Sequence, residues 1–385
     1  MDITQVYQFV NTAQTEVLGE ASVLAEDLSN IVEIGDTLAN VNGVESYARA
    51  LTNHIGRMVF VNRVYRGRVP SLLRDGWEFG SILEKVRAEM PAAIENESYS
   101  LVDGQSYDPN VFYSPRVSVK YYNKKVTFQI PSSFTEKQIK QSFSSAAQMN
   151  AFISMLYNEI DKSATVKIDE LIMRAINNMI GETVYAEVGS GSISGRSGVK
   201  AVNLLYLYNQ RYGTSLAAAD ALTTPEFLKF AAYQIGLYAE RMGTISTLFN
   251  VGATAKFTPA DVRHTVLLSE FAKAIGPYTL SSAYNQEYLK LPDAEIVPFW
   301  QGSGTGFGLA DTGKVYLSST AGGHAVTVTG VLGVMFDRDA VAVNNEDRRV
   351  TSNYNPAAEF YSYWYKFDMQ LYNDLNENFV VFYVA

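Results

Sequence analysis

EKQIKQSFSSAAQMNAFISMLYNEIDKSATVKIDELIMRAINNMI, residues 136–180, runs for some forty-five residues without a proline or glycine. Apolar residues return three or four apart at Ile139, Phe143, Ala146, Ile153, Leu156, Ile160, Ala164, Ile168, Leu171, Ala175 and Met179. That spacing is one stripe of an amphipathic helix. Ser133 or Thr135 is placed to cap its start, Gly181 to end it, and Ser163 with Thr165 to bend it midway. At 1.5 Å per residue it would reach roughly 65 Å, beyond the width of a typical small domain. A globular helix usually spans about 8–20 residues, so this one is a coiled coil, a broken pair or a structural spine.

The flanking sequence separates these readings. Residues 1–55 carry a thin helical stripe of Val6, Phe9, Val10, Val17 and Leu18, then Leu24, Leu28 and Ile31, punctuated by Gly35, Asn40 and Gly43. Such a stripe suits an arm better than an independent core. Met58–Tyr65 reads as a strand, with turns at Pro70 and Gly76 and a stop at Pro91. Between residues 96 and 131 the period becomes two. Val117, Val119 and Tyr121 alternate, Asn123-Lys124 offers a tight turn, and Val126, Phe128 and Ile130 alternate again. This is a hairpin signature. A lone two-stranded ribbon is marginal in water, so something outside the subunit must support it.

After the helix, VGSGSISGRSG (188–198) reads as a flexible link. Helical blocks follow at Pro225–Phe249 and Pro259–Ile275, each opened by Thr-Pro. A second glycine-rich stretch leads to strands at Val315–Leu317 and Val326–Val343, an alternating run at Phe360–Leu371 and an apolar strand at Phe379–Val384. The last strands are needed to cover the apolar stripe of the long helix. Residues 200–325 are then an excursion from a core made by the middle and end of the chain. No internal repeat is present.

Composition narrows the function. At 47% hydrophobic and 18% charged over 385 residues, the chain can bury a sizeable core. It has no cysteine, which excludes disulfides and thiolate metal sites. No signal-peptide pattern or apolar run of membrane length is present, so a soluble, unsecreted protein with no membrane partner is expected. A net charge of -9 disfavours tight nucleic-acid binding by the chain as a whole. Arg57, Arg63, Arg66, Arg68 and Arg74 crowd one region, and Lys120, Lys124 and Lys125 another; each group is a solvated face or an inter-subunit contact. Twenty-five tyrosines and twenty phenylalanines fit an aromatic core and aromatic interfaces together.

No catalytic, cofactor or metal site assembles from the sequence. Gly308–Val315 lacks the hydroxyl that a phosphate-binding loop needs after its lysine and reads as a surface loop. The glycines at 189, 191 and 195 miss the dinucleotide spacing. His54, His264 and His324 are scattered. Asp337, Asp339, Glu346 and Asp347 flank a strand without the EF-hand order and read as a solvated strand end.

In its order of elements the chain resembles the major capsid proteins of tailed bacteriophages with the Hong Kong 97 fold. Two segments carry local likeness: FVNRVYRGRVPSLLRDGWEFGSILEKV (60–86), which resembles the lead into an extended loop, and GVLGVMFDRDAVAV (330–343), which resembles the strand after an inserted domain. The resemblance implies an α+β Hong Kong 97-like capsid fold. Its parts would be an N-terminal arm (1–57), an extended β-hairpin loop region (58–134), a peripheral domain (135–200 and 326–385) with its spine helix at 135–180, and an inserted axial domain (201–325). It further implies hexamers and pentamers of one chain forming an icosahedral shell around double-stranded DNA in a virion assembled in the bacterial cytoplasm. Separate scaffolding, portal and decoration proteins would be partners; the chain lacks the long charged segment that some relatives carry before the arm. Candidate inter-subunit contacts are Tyr113, Arg116, Lys120, Tyr121, Lys124 and Lys125 of the ribbon, with Arg63, Arg66 and Arg68. The ribbon lysines are expected to meet acidic surface on a neighbouring subunit. An encapsulin-like compartment shell, usually shorter, and an enzyme with a dispersed site are the alternatives.

Overall fold

The computed structural model describes residues 3–19, 24–40, 43, 46–51, 69–75, 83–88, 93, 102–104, 106, 110–114, 116–122, 125–189, 193–280, 294–298, 300, 315–318 and 325–385. The expected strand at 58–65, the loop at 308–314, Pro91, His54 and His324 lie outside them.

The 136–180 stretch forms two helices. Earlier in the chain are α1 (Ile3–Leu18) and α2 (Ile31–Asn40). α3 (Glu136–Ser142) is short and is followed by α4 (Ala146–Val188), forty-three residues long. Thr135 caps α3 with a reciprocal box: its hydroxyl accepts from Gln138 N at 3.3 Å, and its own N–H donates to Gln138 Oε1 at 2.8 Å. Ser133 lies in a strand instead, with its hydroxyl 3.2 Å from that of Ser362. The break at 143–145 comes from serines that bond backward to the backbone. Ser142 Oγ donates to Ile139 O at 2.6 Å and Ser144 Oγ to Gln141 O at 2.7 Å. Ser145 then caps α4. α4 passes through Ser163 and Thr165 unbroken. It also passes through buried Gly181 and ends only at Gly189, at φ +65°. A glycine costs a helix about 1 kcal/mol, a cost that the packing of this buried segment outweighs.

Burial along α4 changes character midway. From Met149 to Ala164 one stripe is buried (Met149, Ile153, Leu156, Ile160, Ala164), while Met155 and Val166 are exposed. From Leu171 to Val188 two thirds of the residues are buried, including Ile172, Met173, Ile176, Asn177, Ile180 and Val184, while Arg174 and Ala186 are exposed.

Two sheets enclose that half. The first orders β1 (Leu73–Asp75), β11 (Val341–Asn355), β12 (Phe360–Asn373) and β4 (Lys125–Thr135). The second orders β5 (Ala201–Asn203), β13 (Phe379–Tyr383), β10 (Val331–Asp337), β6 (Arg263–Leu268) and β7 (Glu295–Val297). α4 packs on strands of both. β12 alternates from Phe360 to Met369, with Tyr361, Tyr363, Tyr365, Phe367 and Met369 inside, and the alternation shifts at Gln370, which is also buried. β10 and β13 are buried throughout, as central strands covered on both faces should be. The closing strands thus cover the long helix as its apolar stripe requires. The excursion is not self-contained, however, because β5 and β6 pair with β13 and β10.

The expected hairpin is corrected. Both alternating runs are strands, but β3 (Val117–Tyr122) pairs with β2 (Leu83–Ala88), and β4 pairs with β12 along its full length from Thr135–Phe360 to Lys125–Gln370. The long ladder offered by β12 outcompetes a local turn. β4 is an edge strand, which is where Pro131 is tolerated.

Three further readings change. The Pro259 block opens with turns and then strand β6, with α7 (Ser269–Leu280) after it; α6 (Pro225–Arg241) holds as a helix, following α5 (Leu204–Tyr212). The described part of the 188–198 link is pinned: Tyr383 Oη donates to Ile193 O at 3.3 Å, and Glu187 Oε1 accepts from Lys200 N at 3.0 Å. The N-terminal stripe packs on its own chain, with Val6, Phe9, Val10, Leu28 and Ile31 buried in the common core. Gly35 sits inside α2 because a Cβ there would lie 2.6 Å from Cβ of Phe143.

Candidate assembly surface

β2 and β3 form a ribbon that pairs with no other sheet among the described residues. Period-two alternation gives it two chemically distinct faces. Lys85, Arg87, Lys120 and Tyr122 share one; Val86, Val117, Val119 and Tyr121 share the other, with Val86 opposite Val119.

The cationic face is seated on the turn between β12 and β13. Lys85 Nζ lies 2.9 Å from Asp374 Oδ2 and 2.6 Å from Glu377 Oε1, and donates to Tyr372 Oη at 3.0 Å. Arg87 Nη2 meets the same two carboxylate oxygens at 2.9 and 2.6 Å. Lys120 Nζ is 3.3 Å from Asp374 Oδ1, and Lys256 Nζ is 3.2 Å from Glu377 Oε1. Both acids are buried, Asp374 to 1% side-chain exposure. Burial alone would raise the Asp374 carboxyl, but the Lys85 hydrogen bond and charge, with the N–H of Asn376, hold it below the usual carboxylate range. Burial would likewise lower Lys85; its bonds to Glu377, Tyr372 and Asp374 instead push it up. The Tyr122 ring packs 4.3 Å from that of Tyr372, and Tyr122 O accepts from Gln370 Nε2.

The opposite face is open. Val86 is 63% exposed and Tyr121 61%; Phe112 at 86% and Tyr113 at 70%, in the segment before β3, are exposed as well. Large apolar side chains gathered on one face mark an interaction surface.

The predicted contact residues divide accordingly. Tyr113, Arg116 and Tyr121 are exposed in or just before β3; Lys120 points to the seat and meets its acids within its own chain. Lys125 is exposed at the start of β4, in a different sheet. Lys124, Arg63, Arg66 and Arg68 lie outside the described residues. Arg74, from the arginine-rich region, pairs with Asp339 at 3.0 Å. Sequence reading missed Lys85, Arg87, Asp374 and Glu377. Their signal is present in LEKVRA, where basic and apolar residues alternate, and in DLNEN, an acidic turn between two apolar strands.

Among the described residues, no group of three or more metal-ligating side chains converges, and no helix is long and apolar enough to cross a membrane. Asp337 accepts from Thr258 Oγ1 at 3.0 Å inside a buried network with Asn378, and burial raises its carboxyl above the usual range. It is a packed strand end and not a solvated one.

Similar proteins accord with this architecture. A chain in the structure of the head fiber and inner core protein gp22 of native bacteriophage P68 is similar at a TM-score of 0.52, with 10% identity over 85% of this chain and 86% of that one. A chain of the Staphylococcus phage Andhra capsid gives 0.49 at 12% identity, covering 82% and 83%. A chain of the bacteriophage PhiM1 mature capsid gives 0.42 at 11%, covering 83% and 86%. At such identities the likeness speaks to fold alone, and only the P68 chain carries weight. No curated protein matches. The family model described as Phi29-like phage major capsid protein matches residues 10–383, from inside α1 to the last residue of β13. The chain therefore belongs to the Phi29-like phage major capsid protein family.

Proposed function

We propose that this chain, a structural capsid protein, assembles as hexamers and pentamers into the icosahedral head of a tailed phage and encloses double-stranded DNA without reading its sequence. The observation that carries this reading is the family match over residues 10–383. The open apolar face of the ribbon, Val86, Val117, Val119 and Tyr121, supports it, because a shell subunit must present such surface to its copies. Tyr113 and Arg116, exposed just before β3, serve with Tyr121 as inter-subunit contacts; Lys124, Lys125, Arg63, Arg66 and Arg68 complete the proposed set, while Lys120 is taken up by the acids of its own chain. A net charge of -9 suits a wall that confines DNA without trapping it.

The parts of the subunit are the arm at 1–57, the extended loop region at 58–134, the spine with its peripheral sheet at 135–200 and 326–385, and the insertion at 201–325. Scaffolding, portal and decoration proteins act as separate partners, and assembly takes place in the bacterial cytoplasm. No chemistry is required of the subunit. Coexpression of the chain with a scaffolding protein, followed by electron microscopy, tests the reading: closed shells support it, and small oligomers under every condition count against it. Nuclease-protected DNA in heads from infected cells separates a phage shell from an enzyme-filled compartment.

A further inference from the structure

We propose that the β2–β3 ribbon is a movable flap, latched onto its own subunit by the ionic seat that Asp374 and Glu377 provide. Three observations converge. The ribbon makes its own two-stranded sheet and shares no backbone ladder with the body among the described residues. The side chains it turns to the body are mainly charged: Lys85, Arg87 and Lys120, with the Tyr122 ring on Tyr372. Val86, Val117, Val119 and Tyr121 face the other way. Attachment therefore rests chiefly on charge, with the Tyr122 ring and the Gln370–Tyr122 hydrogen bond beside it, where the rest of the subunit depends on apolar burial.

The seat is preformed and survives departure of the ribbon. Asp374 Oδ1 accepts from Asn376 N at 3.1 Å, Glu377 keeps Lys256 at 3.2 Å, and the turn is tied down by Thr254 Oγ1 donating to Asn376 O at 2.8 Å. The departing face carries three cations that water solvates well, so the open state leaves no buried charge stranded on the flap. The result is an element with two discrete positions, which is what a switching device needs. The device belongs to the single chain and operates whether or not copies assemble.

The chain has no cysteine, so a pair can be introduced cleanly for spin labelling. Nitroxides at Val119→Cys on the ribbon and Thr351→Cys on exposed β11 report the separation of flap and body in the full-length, unassembled chain by pulsed electron resonance. At low salt the parent gives one narrow distance. Lys85→Gln/Arg87→Gln/Lys120→Gln gives a second, longer distance in at least half of the molecules, with the circular dichroism melt of the body unchanged. Asp374→Asn/Glu377→Gln does the same; should it fail to fold, the ribbon-side variant decides, because it leaves Glu377 paired with Lys256. In the parent, about 1 M salt, where the screening length is about 3 Å, enlarges the long component. A single unchanged distance in the folded ribbon-side variant would overturn the proposal. So would loss of the whole fold in that variant, since a flap leaves without taking the core with it.

Discussion

Ile176→Ala in α4 tests whether the buried half of the long helix holds the subunit together. Ile176 is fully buried in the segment enclosed by both sheets. Removing three carbons at about 0.8 kcal/mol each forfeits about 2.4 kcal/mol of transfer free energy. A fully buried site in this core relaxes little, so the remaining cavity places the total in the upper half of the usual 2–5 kcal/mol, at about 4 kcal/mol. Met155→Ala on the same helix is the control: its side chain is half exposed, and its loss costs below about 1 kcal/mol. Urea unfolding of the full-length chain, followed by far-ultraviolet circular dichroism, measures both. An Ile176→Ala loss under about 1 kcal/mol, or an equal loss from Met155→Ala, would refute the division of α4 into an enclosed half and a striped half.

Further perturbations separate folding from assembly. Val119→Asp places a charge on the open ribbon face and leaves the urea midpoint within about 0.5 kcal/mol of the parent, while shells seen by electron microscopy fall away. Gly35→Ala forces a methyl group against Phe143 and costs about 1–3 kcal/mol, read by the same urea assay. Burial holds the His264 imidazole below its usual range, so the folded state binds its proton less readily than the unfolded chain. Stability from this group is full above about pH 6.5 and is lost as the pH falls below it; His264→Phe removes that slope in melts between about pH 7 and 5. Asp374, also held below its usual range, contributes stability that is lost only as the pH falls below about 3.9, and Asp374→Asn abolishes that acid step.

Periodic features were legible in the sequence. The three-to-four spacing at Ile153, Leu156, Ile160 and Ala164 and the alternation of Phe360–Leu371 each give a local period that burial imposes directly. Partnership was not legible. Val117–Tyr121 and Val126–Ile130 look like partners because they are adjacent, yet β3 pairs with a strand some thirty residues earlier and β4 with one more than two hundred later. Gly35 and Gly181 read as punctuation because nothing in the local sequence shows Phe143 against one or the packing around the other. The ionic seat escaped for the same reason: Lys85 and Asp374 become neighbours only through the fold. Proline after threonine marked α6 correctly, but at Thr258-Pro259 the tertiary demand for β6 beside β10 won.

A capsid subunit of this kind is proposed to build a closed shell. Cryo-electron microscopy of purified full-length chain, assembled with its scaffolding partner, tests it most directly. Icosahedral particles are expected, with subunits that show one long unbroken helix and a ribbon whose Val86–Val119 face lies against a neighbouring copy. Open sheets, small rings or monomers under all assembly conditions, or shells with that face bare to solvent, would contradict it.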